Sequence, residues 1–273
     1  MKLFFLSIAS LATMLLHAQD FYGVATYTAY TSFKDMNIKI EGDPAMEAML
    51  KERMSKGMES EYTLAFNRFE SVYEQVEKLD PMAATGGHTM RYGPGKKYTN
   101  LKDKSVIEER DIYDKQFIVA DSVRKFDWKL ENETKQIGNY TCYKATHTIK
   151  IEPPTEEAKK KAEESGINLL DMLPKKDIII TAWYTPEIPV SHGPSEFWGL
   201  PGLMLEVQTD RTTFVCSKLT LNPKEKPEIK APDKGKKVTQ EEYFEIMRKK
   251  MNEMQDSMPA REKGKGISIS IGG

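Results

Sequence analysis

Chemistry in this chain would have to come from few residues. Beyond residue 18 the only histidines are His88, His147 and His192, and the only cysteines are Cys142 and Cys216. No His pair has the H-x3-H or HExxH spacing of a zinc site, and neither Cys belongs to a CxxC. Local spacing therefore assigns no metal, and only a site assembled from distant residues stays open. Ser191-His192 are chain neighbours without a GxSxG elbow, and adjacent side chains do not form the nucleophile–base hydrogen bond that a triad builds across space. Glu108-Glu109 and Glu156-Glu157 are consecutive, so on a strand or exposed helix their carboxylates point apart instead of facing one cavity. The glycine-rich stretch 86–95, GGHTMRYGPG, lacks the GK[ST] ending of a phosphate cradle. No catalytic residue, metal or cofactor is assigned.

Cys142 and Cys216 lie in strand-like segments, TCYKATHTI and TFVCSKLTL. A disulfide between them would close a loop of roughly 75 residues and stabilise by about 4 kcal/mol on the chain-entropy model. Two free buried thiols on separate strands are the equal alternative, since a free Cys packs as a small hydrophobe.

The methionines form two runs. Met46, Met49, Met54 and Met58 follow one segment, and Met247, Met251, Met254 and Met258 recur at spacings of four, three and four beside Tyr243 and Phe244. Docking of both stripes on a sheet explains the spacing most simply. Two functional readings stand beside it: an adaptable apolar face for a partner or lipid-like ligand, and a Cu(I) site of soft thioethers.

The elements that would position these residues are mostly strands. FYGVATYTAYTSF, EYTLAFNRFESVYEQ (two strands about Asn67-Arg68, or one long one), KKYTNL, SVIEERDIY, KQFIVAD, FDWKLE, YTCYKATHTIKI, KDIIITAWYT, GLMLEVQT and TTFVCSKLTL are rich in β-branched and aromatic residues. Polar turns separate them every 8–12 residues or so, the pattern of an antiparallel meander. The expected fold is mainly β (α+β): a curved antiparallel sheet or half-barrel with a few helices on or beside it. Asp43-Pro44 opens a short helix, TEEAKKKAEES a solvated helical insertion (153–175), and Thr239-Gln-Glu-Glu242 is a capping box that starts a helix over 239–258. Residues 223–238 read as a flexible Pro/Lys linker and 259–273 as a flexible tail.

The first 18 residues, MKLFFLSIASLATMLLHA, combine Lys2, an apolar run and a small residue at Ala18, as in a secretory signal peptide. The main β-rich domain is then 19–222. No Cys lies at the cleavage point, so the expectation is export without lipid attachment, to the periplasm, the cell surface or beyond. The 40 basic and 41 acidic side chains give a formal net charge of −1, and no nucleic-acid partner is implied.

The most distinctive stretch is 183–207, WYTPEIPVSHGPSEFWGLPGLMLEV. Pro186 ends a strand, Ile188 must be extended before Pro189, and Gly193-Pro194 marks a turn. Pro201-Gly202 fits the central pair of a type II turn, with positive φ at Gly202. The whole reads as a specified corner between two strands, with Phe197 and Trp198 packed beneath it. His192, Glu187 and Glu196 are left without a structural task.

GLPGLMLEV, preceded by AWYTPEIPVSHGP and ETKQIGNYTCYKA, resembles the GLPGLI family of Bacteroidota envelope proteins, with Met204 where the motif has Ile. The resemblance spans roughly Phe126 to Val207. It implies an exported protein, often encoded near TonB-dependent outer-membrane receptors, and carries over no catalytic residue.

The function expected is a non-enzymatic envelope binding or accessory protein that holds an apolar ligand or a partner segment, with Trp183, Tyr184, His192, Trp198, Met247, Met251 and Met254 as contact residues. One alternative is an envelope hydrolase or Zn/Cu-binding protein with a site of His192, Glu187, Tyr184 and His88. Another is a cell-surface interaction module. Cleavage after Ala18 is checked directly: N-terminal sequencing of the exported protein should begin at Gln19.

Overall fold

The structure, a computed structural model, describes residues 21–34, 36–40, 44–76, 95–112, 115–156, 176–257 and 267–271. The expected leader (1–18), His88 and most of the expected insertion at 153–175 lie outside them. In chain order the elements are β1 (Gly23–Thr31), β2 (Met36–Ile40), α1 (Pro44–Ser55), β3 (Met58–Phe66), β4 (Glu70–Gln75), β5 (Lys97–Asn100), β6 (Ser105–Ile112) and β7 (Lys115–Ser122). They continue with β8 (Lys129–Ile137), β9 (Tyr140–Ile149), β10 (Ile178–Thr185), β11 (Leu203–Gln208), β12 (Thr212–Leu221), β13 (Lys236–Thr239), α2 (Gln240–Ser257) and β14 (Ile267–Ile271).

Twelve strands form one sheet in the order β13-β7-β6-β5-β4-β3-β1-β12-β11-β10-β9-β8. Two antiparallel meanders, β3 to β7 and β8 to β12, are joined through β1. That strand pairs with β3 on one side and β12 on the other, Tyr27 standing opposite Tyr62 and Cys216. A strand bonded on both edges can carry no proline, and GVATYTAYT carries none and no charge. The mainly β, α+β fold is as the strand pattern implies.

The link between the meanders dictates the curvature. β7 and β8 are ten strand spacings apart in the sheet, which would be about 48 Å were the sheet flat. Yet only residues 123–128 connect them, and seven steps from Ser122 to Lys129 reach at most about 25 Å. The sheet must therefore curl until its two flanks approach. The curl also shows in the core. Ala25, Tyr27, Leu64, Phe66 and Tyr73 share one apolar cluster with Cys142, Leu203 and Leu205 from the other meander, together with Ile188 and Val190. The Tyr27 hydroxyl reaches past β12 to donate to the Met204 carbonyl at 2.7 Å.

Several expectations change. The 223–238 segment is not linker to its end: Lys236–Thr239 is β13, parallel to β7, with Val238 buried. The 259–273 tail contains β14, antiparallel to β2. Neither MNIKI (β2) nor KKVT (β13) was legible as a strand, because each is short and its partner is remote in sequence. The first methionine run is not one helical stripe, since α1 ends at Ser55, Gly57 donates back to Met54, and Met58 starts β3. Met46 and Met49 are largely exposed. On α2 the capping box forms as expected, with Thr239 and Glu242 exchanging bonds of 2.8 and 3.2 Å. Tyr243, Ile246 and Met247 pack against Phe117, Val119 and Val238. The side chains of Met251 and Met254 fall outside the description.

Cys142 and Cys216 are free thiols. β10 and β11 separate their strands. Burial pushes each thiol up to about 11, and Cys142 adds to the rise at Cys216. Both are protonated and weakly nucleophilic at neutral pH.

The expected type II turn at Pro201-Gly202 is not made. Gly199 has the positive φ, 101°, and Gly202 does not. Gly202 is needed for close approach instead, since a Cβ there would stand 2.2 Å from the Thr185 carbonyl oxygen. Gly202→Ala should thus destabilise the protein by about 1–3 kcal/mol, the range for overpacking a tight site, as read from urea denaturation midpoints. A midpoint equal to wild type would show that the β10–β11 corner can relax.

Candidate functional site

The block between β10 and β11 folds as a small hairpin lying over the sheet. His192 and Trp198 form an isolated antiparallel bridge. Phe197 donates its amide to Pro194, Gly199 to Ser191, and Met204 to His192, closing successive turns. Ser195, at the tip, has φ 57°, a left-handed conformation that costs a non-glycine residue free energy and recurs at functional sites.

Two indoles lash this hairpin to the 123–128 connection. Trp198 Nε1 donates to the Arg124 carbonyl at 2.6 Å, and Trp128 Nε1 to the Trp198 carbonyl at 2.8 Å. Phe126 lies 5.5 Å from both the Trp128 and Phe197 rings. Phe197 and Leu200 are buried with Ala182, Tyr184, Met204 and Val207, so the apolar bulk packs beneath the corner.

His192 has a structural task after all. It is 1% exposed, and its Nε2 donates to the Asn67 carbonyl at 3.0 Å. Asn67 is the turn of the β3–β4 hairpin, its Oδ1 accepting the amides of Phe69 and Glu70 at 2.8 Å each. The imidazole thus ties the two meanders together. Burial lowers its pKa to about 4, and the bond to Asn67 only partly opposes this.

Beneath the hairpin, against β4 to β7, lies a cavity of about 360 Å³. Its floor mixes the apolar Leu64, Val106 and Val119 with Ser71, Tyr73, Lys97, Glu108, Arg110 and Asp121; its rim includes Arg124, Ser195, Glu196 and Gln240 at the start of α2. Glu108 is buried and held by Arg110 at 2.8 Å. Arg110 in turn lies 5.2 Å over the Tyr243 ring, which anchors α2. Glu108 and Glu109 do point apart: Glu109 accepts from Gln116 at 3.1 Å. The Tyr73 ring stacks on Tyr62 at 5.0 Å, and its hydroxyl, buried, has no hydrogen-bond partner. Burial raises that phenol far above its usual value, with the Tyr62 phenol and Glu196 carboxylate adding to the rise and the neighbouring Ser195 amide opposing it.

Of the residues singled out in the sequence, His192 and Trp198 line this cavity. Trp183 does not, since it stacks under the Lys135 ammonium at 4.4 Å, with Lys135 paired to Glu206 at 2.8 Å. Tyr184 is buried near Tyr143. Glu187 accepts the Thr141 amide at 3.0 Å, so the proposed His192–Glu187–Tyr184 grouping is dispersed over three environments. Among the described residues no group of three or more His, Cys, Asp or Glu converges as metal ligands would. Lys97 of KKYTNL and Arg110 of SVIEERDIY escaped sequence reading, and Glu108 was weighed only as the neighbour of Glu109, because charged residues at alternate strand positions look like a solvated face.

Residues 128–206 match the model of a family described as a protein of unknown function (Porph_ging). The match takes in both meander edge β8 and the whole hairpin block. No curated protein matches the chain. Among solved structures, PNGF-II in two crystal forms is 15% identical, with TM-scores of 0.47 and 0.46 over 84% of this chain. The chain spans about a third of PNGF-II, 33% and 34%. LprF from Mycobacterium bovis is 9% identical, with a TM-score of 0.24 over 76% of this chain and 89% of its own. These likenesses are too distant to transfer any property of those proteins.

The buried imidazole makes stability depend on pH. With a folded value near 4 against about 6.5 when unfolded, the unfolded chain binds the extra proton between those limits. Stability from this group is whole above pH 6.5 and falls as pH drops, by about 3 kcal/mol at pH 4. Urea unfolding at pH 7.5 and 4.5 should show this loss, and His192→Gln, which retains a donor for Asn67, should flatten it.

Proposed function

We propose that the protein is an exported, non-enzymatic binding or accessory protein of the cell envelope that works through the cavity under the 191–199 hairpin. The observation that carries this reading is the cavity itself, roofed by a rigid hairpin and floored by charged and polar side chains on a sheet. Pockets of this size, roughly 300 Å³ upward, hold small ligands when a few polar groups converge in them. The residues most suited to catalysis are engaged in holding the fold: His192 on Asn67, Glu187 on Thr141, Tyr184 in the core.

Location in the envelope and association with a TonB-dependent receptor rest on the leader sequence and the GLPGLI resemblance. Among the described residues no helix is long and apolar enough to cross a membrane. The lining changes one part of the expectation. An apolar ligand was anticipated, whereas a floor with Lys97, Glu108, Arg110 and Asp121 suits a polar one.

Purification of a tagged chain from the envelope of its own cells, followed by native mass spectrometry and cross-linking, tests the reading. The expected result is a mass increment from a bound solute, with a TonB-dependent receptor among the cross-linked proteins. A bare protein mass together with cross-links to no envelope protein would overturn it.

A further inference from the structure

The partners of the charged groups around the cavity are unequal. Glu108 is ion-paired with Arg110 at 2.8 Å, whereas Asp121 and Glu196 lie at exposed edges of the cavity, accepting from the Ser122 amide at 2.6 Å and the Ser195 hydroxyl at 2.7 Å and open to water. Two cations of the lining make no ion pair among the described residues. Lys97 stands directly across from Glu108 on the neighbouring strand, yet Arg110 holds that carboxylate and Lys97 makes no ion pair among the described residues. Among the described residues the Arg124 guanidinium has only the Phe126 ring, 5.7 Å away. On the strand beside Lys97, directly opposite it, the Tyr73 hydroxyl is buried without a partner on a ring fixed by stacking.

A buried donor left unmatched is costly, and two cations that make no ion pair on the lining of one small cavity offer charge-assisted bonds to an anion, while the exposed Asp121 and Glu196 are screened by water and salt. These groups together have the complementarity of an oxyanion site: fixed hydroxyl donor within, ammonium and guanidinium at the wall. We infer that the cavity binds a small solute through an oxyanion, a carboxylate or phosphate group, held by Lys97, Arg124 and Tyr73. The inference rests on the binding reading above and specifies the charge of the ligand. Arg110 sets the polarity by neutralising Glu108, which would otherwise repel the anion.

Amide chemical shifts of the isotope-labelled protein, lacking only its leader, supply the test. Glutarate and inorganic phosphate are titrated as the two oxyanion types, with glucose and putrescine as neutral and cationic probes. Glutarate or phosphate should shift the amides of Ser71, Lys97 and Ser195 saturably, and whichever binds tighter identifies the group. Affinity should fall roughly tenfold in Lys97→Met and in Tyr73→Phe, the loss of one charge-assisted or buried bond, and should weaken with added NaCl. Arg124→Gln, at an exposed position outside the core, gives a second variant whose folding is secure and whose affinity should also fall. Saturable shifts from glucose or putrescine alone would overturn the inference and leave the binding reading standing. Binding of the anions unchanged in all three variants would overturn the assignment of these residues. No saturable shift from any probe would overturn the inference. Coupled with a bare mass in the envelope preparation, that result would remove the binding reading as well.

Discussion

The length of one connection governs this molecule. Residues 123–128 must carry the chain from one flank of a twelve-stranded sheet to the other, and a chain so short can do so only if the sheet is rolled. Rolling brings β1, β3 and β4 into one core with Leu203, Leu205 and Cys142. It also leaves the connection lying across the opening between the flanks, where Phe126 meets both Trp128 and Phe197.

The hairpin between β10 and β11 fills that opening, and its hydrogen bonds show how. It is tied to the connection through Trp198 and Trp128, and to the β3–β4 turn through His192. With its backbone so committed, the hairpin is a roof of fixed height over β4 to β7. The space beneath is enclosed on one side by the anchored start of α2. The cavity is thus a consequence of the roll, and its polar floor is paired in part by Glu108 and Arg110. Such a buried pair contributes little net stability and is costly to break, so its retention on a cavity floor fits a role in shaping charge there.

Much of the fold was legible locally. Period-2 alternation located β1, β3 to β7 and β9 to β12, and the Thr239–Glu242 capping box located α2 to within a residue. Less was legible of the site. His192 and Trp198 were singled out for their surroundings in a distinctive motif, and they do line the cavity; Trp183 and Tyr184, from the same motif, lie elsewhere because they belong to β10, in the other meander from the β4–β7 floor. Tyr73, Lys97, Glu108 and Arg110 carry no local signal, since a charged residue on a strand reads as solvent-facing until its neighbours are known. The Pro-Gly residues were rightly read as a corner, though Gly202 serves close packing against Thr185 and the positive φ belongs to Gly199.

The sequence by itself determined most of the strands, where the two helices start, and that its most unusual block is a turn structure and not a nucleophile elbow. Those properties depend on residues within a few positions of one another. Only the tertiary structure decided that β1 joins two meanders, that β13 adds in parallel at the far edge, and that His192 spends its one donor on Asn67, 125 positions away. The physical reason is that hydrogen-bond partners and the sign of a cavity are set by pairings between distant segments. The alternation of a strand shows that it has two faces, and only its neighbours determine what each face meets.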